Sequence, residues 1–100
     1  MIRLILTLSA LALLATCDSP SPKLRGATAT IIDIDQSRLR VFHSPGQSYV
    51  EAHRISPELR SSRILTFEKA YRAIEQATGC KIREGTLAGD QAIVTAEVDC

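Results

Sequence analysis

The sequence predicts a small α+β domain, in which an antiparallel sheet, made of a three-stranded meander and a C-terminal hairpin, packs on one amphipathic helix. Three observations predict it. Short runs rich in β-branched residues alternate with turn residues, one segment has helical periodicity with capping residues at both ends, and two cysteines fall opposite one another in a self-consistent hairpin register. A chain of 100 residues leaves room for a single domain, placed here at residues 27–100. With 45% hydrophobic and 23% charged residues it reads as globular rather than disordered, and a net charge of +1 offers no electrostatic case for nucleic acid.

The strands come first. Thr28–Ile34, Arg38–His43 and Ser48–Ile55 are each short and rich in β-branched or aromatic residues. Ser44-Pro45-Gly46-Gln47 puts Pro and Gly at the central positions of a type II turn, and Asp35-Gln36-Ser37 makes a weaker turn. Setting Ile34 against Leu39, Ile32 against Val41 and Asp33 against Arg40, then Val41 against Val50 and Arg40 against Glu51, pairs apolar with apolar and opposite charges with each other. One face of the meander then carries Ile32, Ile34, Leu39, Val41, Val50 and Ala52. The other carries Asp33, Arg40 and Glu51, flanked by Ile31, Phe42 and Tyr49, and these three apolar side chains make a candidate contact surface unless another segment covers them.

The helix follows, with Thr66 as N-cap, Glu68 in its first turn and Gly79 just past its end. Phe67, Ala70, Tyr71, Ile74 and Ala77 recur at helical spacing and form its buried face. Upstream, Ser56-Pro57-Glu58-Leu59 has the pattern of a short helical turn. At the C-terminus, Cys80–Glu84 and Ala92–Cys100 pair around a loop with Gly85 and Gly89. That register sets Cys80 against Cys100, Ile82 against Val98, Lys81 against Asp99 and Arg83 against Glu97, so disulfide, core and charge agree.

Ahead of the domain, Arg3 precedes Leu4–Leu14, an aliphatic run of about 11 residues against the roughly 20 needed to cross a bilayer, so residues 1–16 read as a cleavable export signal rather than an anchor. Leu14-Ala15-Thr16-Cys17 resembles the lipobox of bacterial lipoprotein precursors, with Thr16 where that class has Gly, Ala or Ser. The resemblance covers the first 17 residues alone. It implies cleavage before Cys17, lipidation of its thiol and acylation, palmitate included, of the new N-terminus. Residues 17–26 are then a lipidated N-terminus and a Pro/Ser-rich tether that spans at most about 30 Å.

Cysteine arithmetic agrees with this reading. An exported chain with three cysteines leaves one unmatched unless lipidation uses it, and Cys80 with Cys100 is the pair that remains. Loss of Arg3 with the signal leaves as many acidic as basic side chains, so acyl chains rather than a polybasic patch would hold the membrane. The implied location is the cell envelope, facing the periplasm. Asp18, directly after the lipidated position, resembles the signal that retains lipoproteins on the inner membrane in enteric bacteria. It reads equally as a solvated tether residue, which leaves inner and outer membrane open.

Chemistry has little to draw on. His43 and His53 with Cys80 and Cys100 are zinc-type atoms without zinc-type spacing, and Asp33-Ile-Asp35 begins like a calcium loop but has Arg38 and Ser44 where the Gly and bidentate Glu belong. No Gly-rich phosphate loop or G-x-S-x-G elbow occurs. Arg54, Arg60 and Arg63 read as a solvated basic segment. No catalytic residue, metal or cofactor is therefore expected. The expected function is a membrane-tethered, non-enzymatic interaction module with an unidentified envelope protein as partner. The alternatives are a periplasmic ligand binder or hydrolase inhibitor and, third, a small enzyme.

Overall fold

A computed structural model describes residues 20–57 and 62–100. The expected signal segment, Cys17 and Asp18 lie outside the described residues, as do Glu58–Ser61, which take in most of the helical turn expected after Ser56. The architecture is the expected one: a single helix packs on an antiparallel sheet that combines the meander with the C-terminal strands. Strands β1 (Thr28–Ile34), β2 (Ser37–His43) and β3 (Tyr49–Arg54) precede helix α1 (Arg63–Thr78), and β4 (Lys81–Ile82), β5 (Ala88–Gly89) and β6 (Ile93–Asp99) follow it. The spatial order is β1-β2-β3-β6-β4, with β5 also on β6, so β6 lies beside β3 and joins meander and hairpin into one sheet.

Both meander hairpins keep the expected faces but are shifted by two residues. In the first, Ile34 pairs with Ser37, Asp33 with Arg38 and Ile32 with Leu39; in the second, Val41 pairs with Ala52, Arg40 with His53 and Phe42 with Glu51. Alternation along a strand has a period of two, so a slip of two leaves every side chain on its own face and costs the core nothing. The turn decides. Asp35 and Gln36 both adopt positive φ, 45° and 70°, as a two-residue type I′ turn requires, and that turn's twist matches the flanking strands. Helix α1 holds it in place, with Arg72 Nη1 2.7 Å from Asp35 Oδ2 and Lys69 Nζ donating to Ser37 Oγ at 2.7 Å. The second turn is the expected one, with Gln47 N–H bonded to Ser44 O at 3.2 Å and Gly46 at φ 79°.

The helix begins a turn earlier than the sequence suggests. Ser62 is the N-cap, its hydroxyl accepting from Leu65 N–H at 3.1 Å, and Thr66, the expected cap, is buried inside the helix. Gly79 closes the far end in the left-handed conformation. The buried stripe is Thr66, Ala70, Ala73 and Ile74, with Phe67 and Ala77 packed at its margin; Tyr71, expected inside, is exposed. Alanines at 70, 73 and 77 let the helix sit close on Leu39, Val41, Val50, Ala52, Val94, Ala96 and Val98, and this approach leaves no room for a Tyr71 ring beneath it.

The C-terminal hairpin has the expected register. Lys81 pairs with Asp99 and Ile82 with Val98, and Arg83 N–H bonds to Glu97 O. Cys80 and Cys100 are joined in a disulfide with their Cα atoms 4.7 Å apart. The charge pairing differs in one detail: Arg83, not Lys81, is the ion partner of Asp99 (2.6 Å), and it also reaches Glu97 (3.2 Å).

Candidate functional site

The core face is covered by α1, which turns attention to the opposite face of the sheet. There the structure places Ile31, Phe42 and Tyr49 in three different environments. Phe42 is only 7% exposed, Tyr49 is half-buried and Ile31 remains open at 45%. Phe42 therefore cannot act as an exposed contact.

Its cover comes from residues 20–26, the described part of the expected free tether. Pro22–Leu24 forms one 3₁₀ turn, with Pro at its first position, and carries Leu24 into the protein at 1% exposure. Three further contacts fasten this strap. Gln47 Nε2 donates to Lys23 O at 2.8 Å, Lys23 Nζ sits 4.9 Å from the centre of the Tyr49 ring, and Ser21 N–H faces the Glu51 carboxylate at 3.3 and 3.4 Å. The physical reason is plain in Leu24. It is the sole large aliphatic side chain between Cys17 and Ala27, and it finds an apolar floor on the half of the sheet face that would otherwise stay wet.

Beneath the strap lies a polar cluster that the sequence reading did not single out. Glu51 is 3% exposed, yet its carboxylate accepts from Tyr49 OH at 2.9 Å and meets His53 Nε2 at 3.0 Å, besides the Ser21 amide. Phe42 packs edge-on against His53, with ring centroids 4.8 Å apart. Burial disfavours the charge on Glu51, but the bonds from His53, Ser21 and Tyr49 outweigh it and hold the carboxyl below the ordinary glutamate range. Burial pushes the Tyr49 hydroxyl up, and its bond to Glu51 adds to the shift. The sequence signal was an alternation of Tyr49, Glu51 and His53 on one strand face, which places a carboxylate between two donors two residues away on either side.

The zinc-type residues are not brought together. Cys80 and Cys100 are consumed by their disulfide, His43 Nε2 is 2.9 Å from Thr30 Oγ1, and His53 is engaged with Glu51. Asp33 and Asp35 are paired with Arg38 and Arg72. Arg54 donates to the backbone oxygens of Gln91 and Ser56, Arg63 lies over Phe67, and Arg60 falls outside the described residues.

Two hollows remain. A groove of about 670 Å³ runs between the Ser44–Ser48 loop and the disulfide, with Val50 and Val98 among its lining and His43, Arg83 and Asp99 as charged or titratable side chains on it. A smaller one, about 390 Å³, is lined by strap residues together with Phe42. Comparison with protein-family models, curated proteins and solved structures gave no match.

Proposed function

We propose that the protein is an envelope lipoprotein, anchored by acyl chains on Cys17, whose folded domain acts as a non-enzymatic interaction module for another envelope protein on the periplasmic side. The observation that carries this reading is the Cys80–Cys100 bond. With those two thiols joined, Cys17 is the unmatched cysteine of the chain, and it stands at the end of a lipobox-like run. A disulfide also suits an oxidising compartment. Burying acyl chains contributes about 0.8 kcal/mol per CH₂, so two or more chains hold the protein without help from net charge.

A non-enzymatic role is supported by the fate of the Glu51–His53 pair. This carboxylate and imidazole have the makings of an acid–base couple, but Glu51 lies at 3% exposure between Tyr49 and the Ser21 amide, where its lone pairs are already used. The second reading, a binder of a small ligand or an inhibitor of a hydrolase, draws on the groove between the Ser44–Ser48 loop and the disulfide.

The test is replacement of Cys17 by Ser in cells fed labelled fatty acid. The expected result is loss of label and release of the protein from the membrane fraction. Unchanged labelling and partitioning would refute the anchor.

A further inference from the structure

We infer that the sheet face opposite α1 lies against lipid headgroups, with the strap as the device that turns it there. The inference rests on the anchor at Cys17 proposed above and goes beyond it by naming the surface that meets the bilayer. Ser21 is pinned to Glu51, and Pro20 borders the same hollow as Phe42, so the described chain begins above this face and not on the helix side. Four residue steps separate Cys17 from Ser21, and covalent geometry caps that span at about 15 Å whatever path the chain takes. A tether so short, leaving from the middle of one face, keeps that face toward its anchor.

The chemistry of the face fits a headgroup layer. Ile31 and Ile93, 45% and 41% exposed, flank Arg40 and His53 in one cross-strand row, and Lys23 and Arg25 stand exposed on the strap beside it. Of the acidic side chains on this face, Asp33 is paired with Arg38, Glu97 and Asp99 share Arg83, and Glu51 is buried beneath the strap, whereas Lys23, Arg25 and Arg40 have no carboxylate partner among the described residues. Cations without a carboxylate partner beside aliphatic side chains match the interface of phosphate groups with acyl chains. An overall neutral chain thus keeps a local basic surplus on the side that its tether presents.

The experiment uses the acylated protein, isolated from the envelope and placed in nanodiscs of zwitterionic and anionic phospholipid doped with a gadolinium-chelating headgroup. Amide signals in NMR spectra read the distance to the gadolinium layer. Amides of Arg25, Ile31 and Arg40 should lose more than half their intensity while those of Tyr71 and Arg72, on the outer side of α1, keep most of theirs. Attenuation that is even on both faces, or stronger on α1, overturns the assignment. Protected Ile31 and Arg40 amides together with tumbling of a doubled particle would give the face to a second copy of the chain, and would overturn it too. Absence of acyl groups by mass spectrometry in the same sample removes the anchor itself, so failure of the anchor and failure of the facing are read separately.

Discussion

The backbone N–H of Ser21 lies 3.3 Å from Oε2 of Glu51, thirty residues away in the chain, and this contact makes the segment before β1 part of the fold. Glu51 would be expensive to bury alone, since an uncompensated carboxylate in a protein interior costs several kcal/mol. Tyr49 and His53 on its own strand supply two partners, and the strap supplies the third along with an apolar roof. Cover and charge thus depend on each other.

Leu24→Ala tests whether the strap contributes to stability. At 1% exposure the side chain leaves a cavity when truncated, and the expected loss is about 2–5 kcal/mol in urea unfolding. Leu65→Ala, removing a side chain that is 49% exposed, should cost much less. Equal small effects would return residues 20–26 to the status of a free tether.

The Glu51 carboxyl titrates lower in the folded protein than in the unfolded chain. The unfolded state therefore binds the extra proton first as pH falls. The stabilisation is fully present above the ordinary glutamate value of the unfolded chain and is lost as pH drops through the lower folded value. Glu51→Gln removes the charge-assisted bonds, so at neutral pH it should cost about 1–3 kcal/mol, and the acid limb of a plot of urea midpoint against pH should become shallower. A limb identical to wild type would show that Glu51 carries none of the pH dependence.

These two predictions fall on parts of the molecule that were hard to read in the sequence. Faces were legible, because alternation alone assigns Ile32, Leu39, Val41 and Val50 to one side and Tyr49, Glu51 and His53 to the other. The C-terminal register was legible too, because disulfide, core and charge all select the pairing of Lys81 with Asp99. The meander registers were not. A shift of two changes no face, and Asp35-Gln36 lacks the Gly that usually marks a type I′ turn. The strap was hidden for a related reason: it continues a Ser/Pro-rich polar run that begins at Asp18, and what opposes the reading as a tether is the single residue Leu24, whose meaning depends on a floor formed by residues far along the chain. The helix start was ambiguous because Ser62 and Thr66 are both good capping residues one turn apart.

Gly89 has a φ of 124°, and a Cβ there would collide with the carbonyl oxygen of Ile93. Gly89→Ala must therefore move the backbone where β5 meets β6, at a cost of about 1–3 kcal/mol. Gly85 also has positive φ, 79°, but a Cβ there meets nothing within 4 Å, so Gly85→Ala should cost about 1 kcal/mol from backbone strain alone. Thermal unfolding of the two variants side by side separates collision from strain, and a reversed order would contradict the close approach at Gly89.

Ser62 and Thr66 give a prediction in which the sign of the effect decides. Ser62 Oγ accepts from Leu65 N–H, so Ser62→Ala should destabilise by about 1 kcal/mol. Thr66 is 3% exposed and its hydroxyl has no hydrogen-bond partner among the described residues, which means that folding strips water from it without return. Thr66→Val keeps the shape and the β-branch while removing that unpaired group, and is expected to be neutral or to raise stability by about 1 kcal/mol. Were Thr66 the cap, the same substitution would lose a bond and cost about as much as Ser62→Ala. Urea midpoints for the two variants, measured at neutral pH with the disulfide intact, therefore locate the start of α1: opposite signs place it at Ser62, and a loss confined to Thr66→Val places it one turn later.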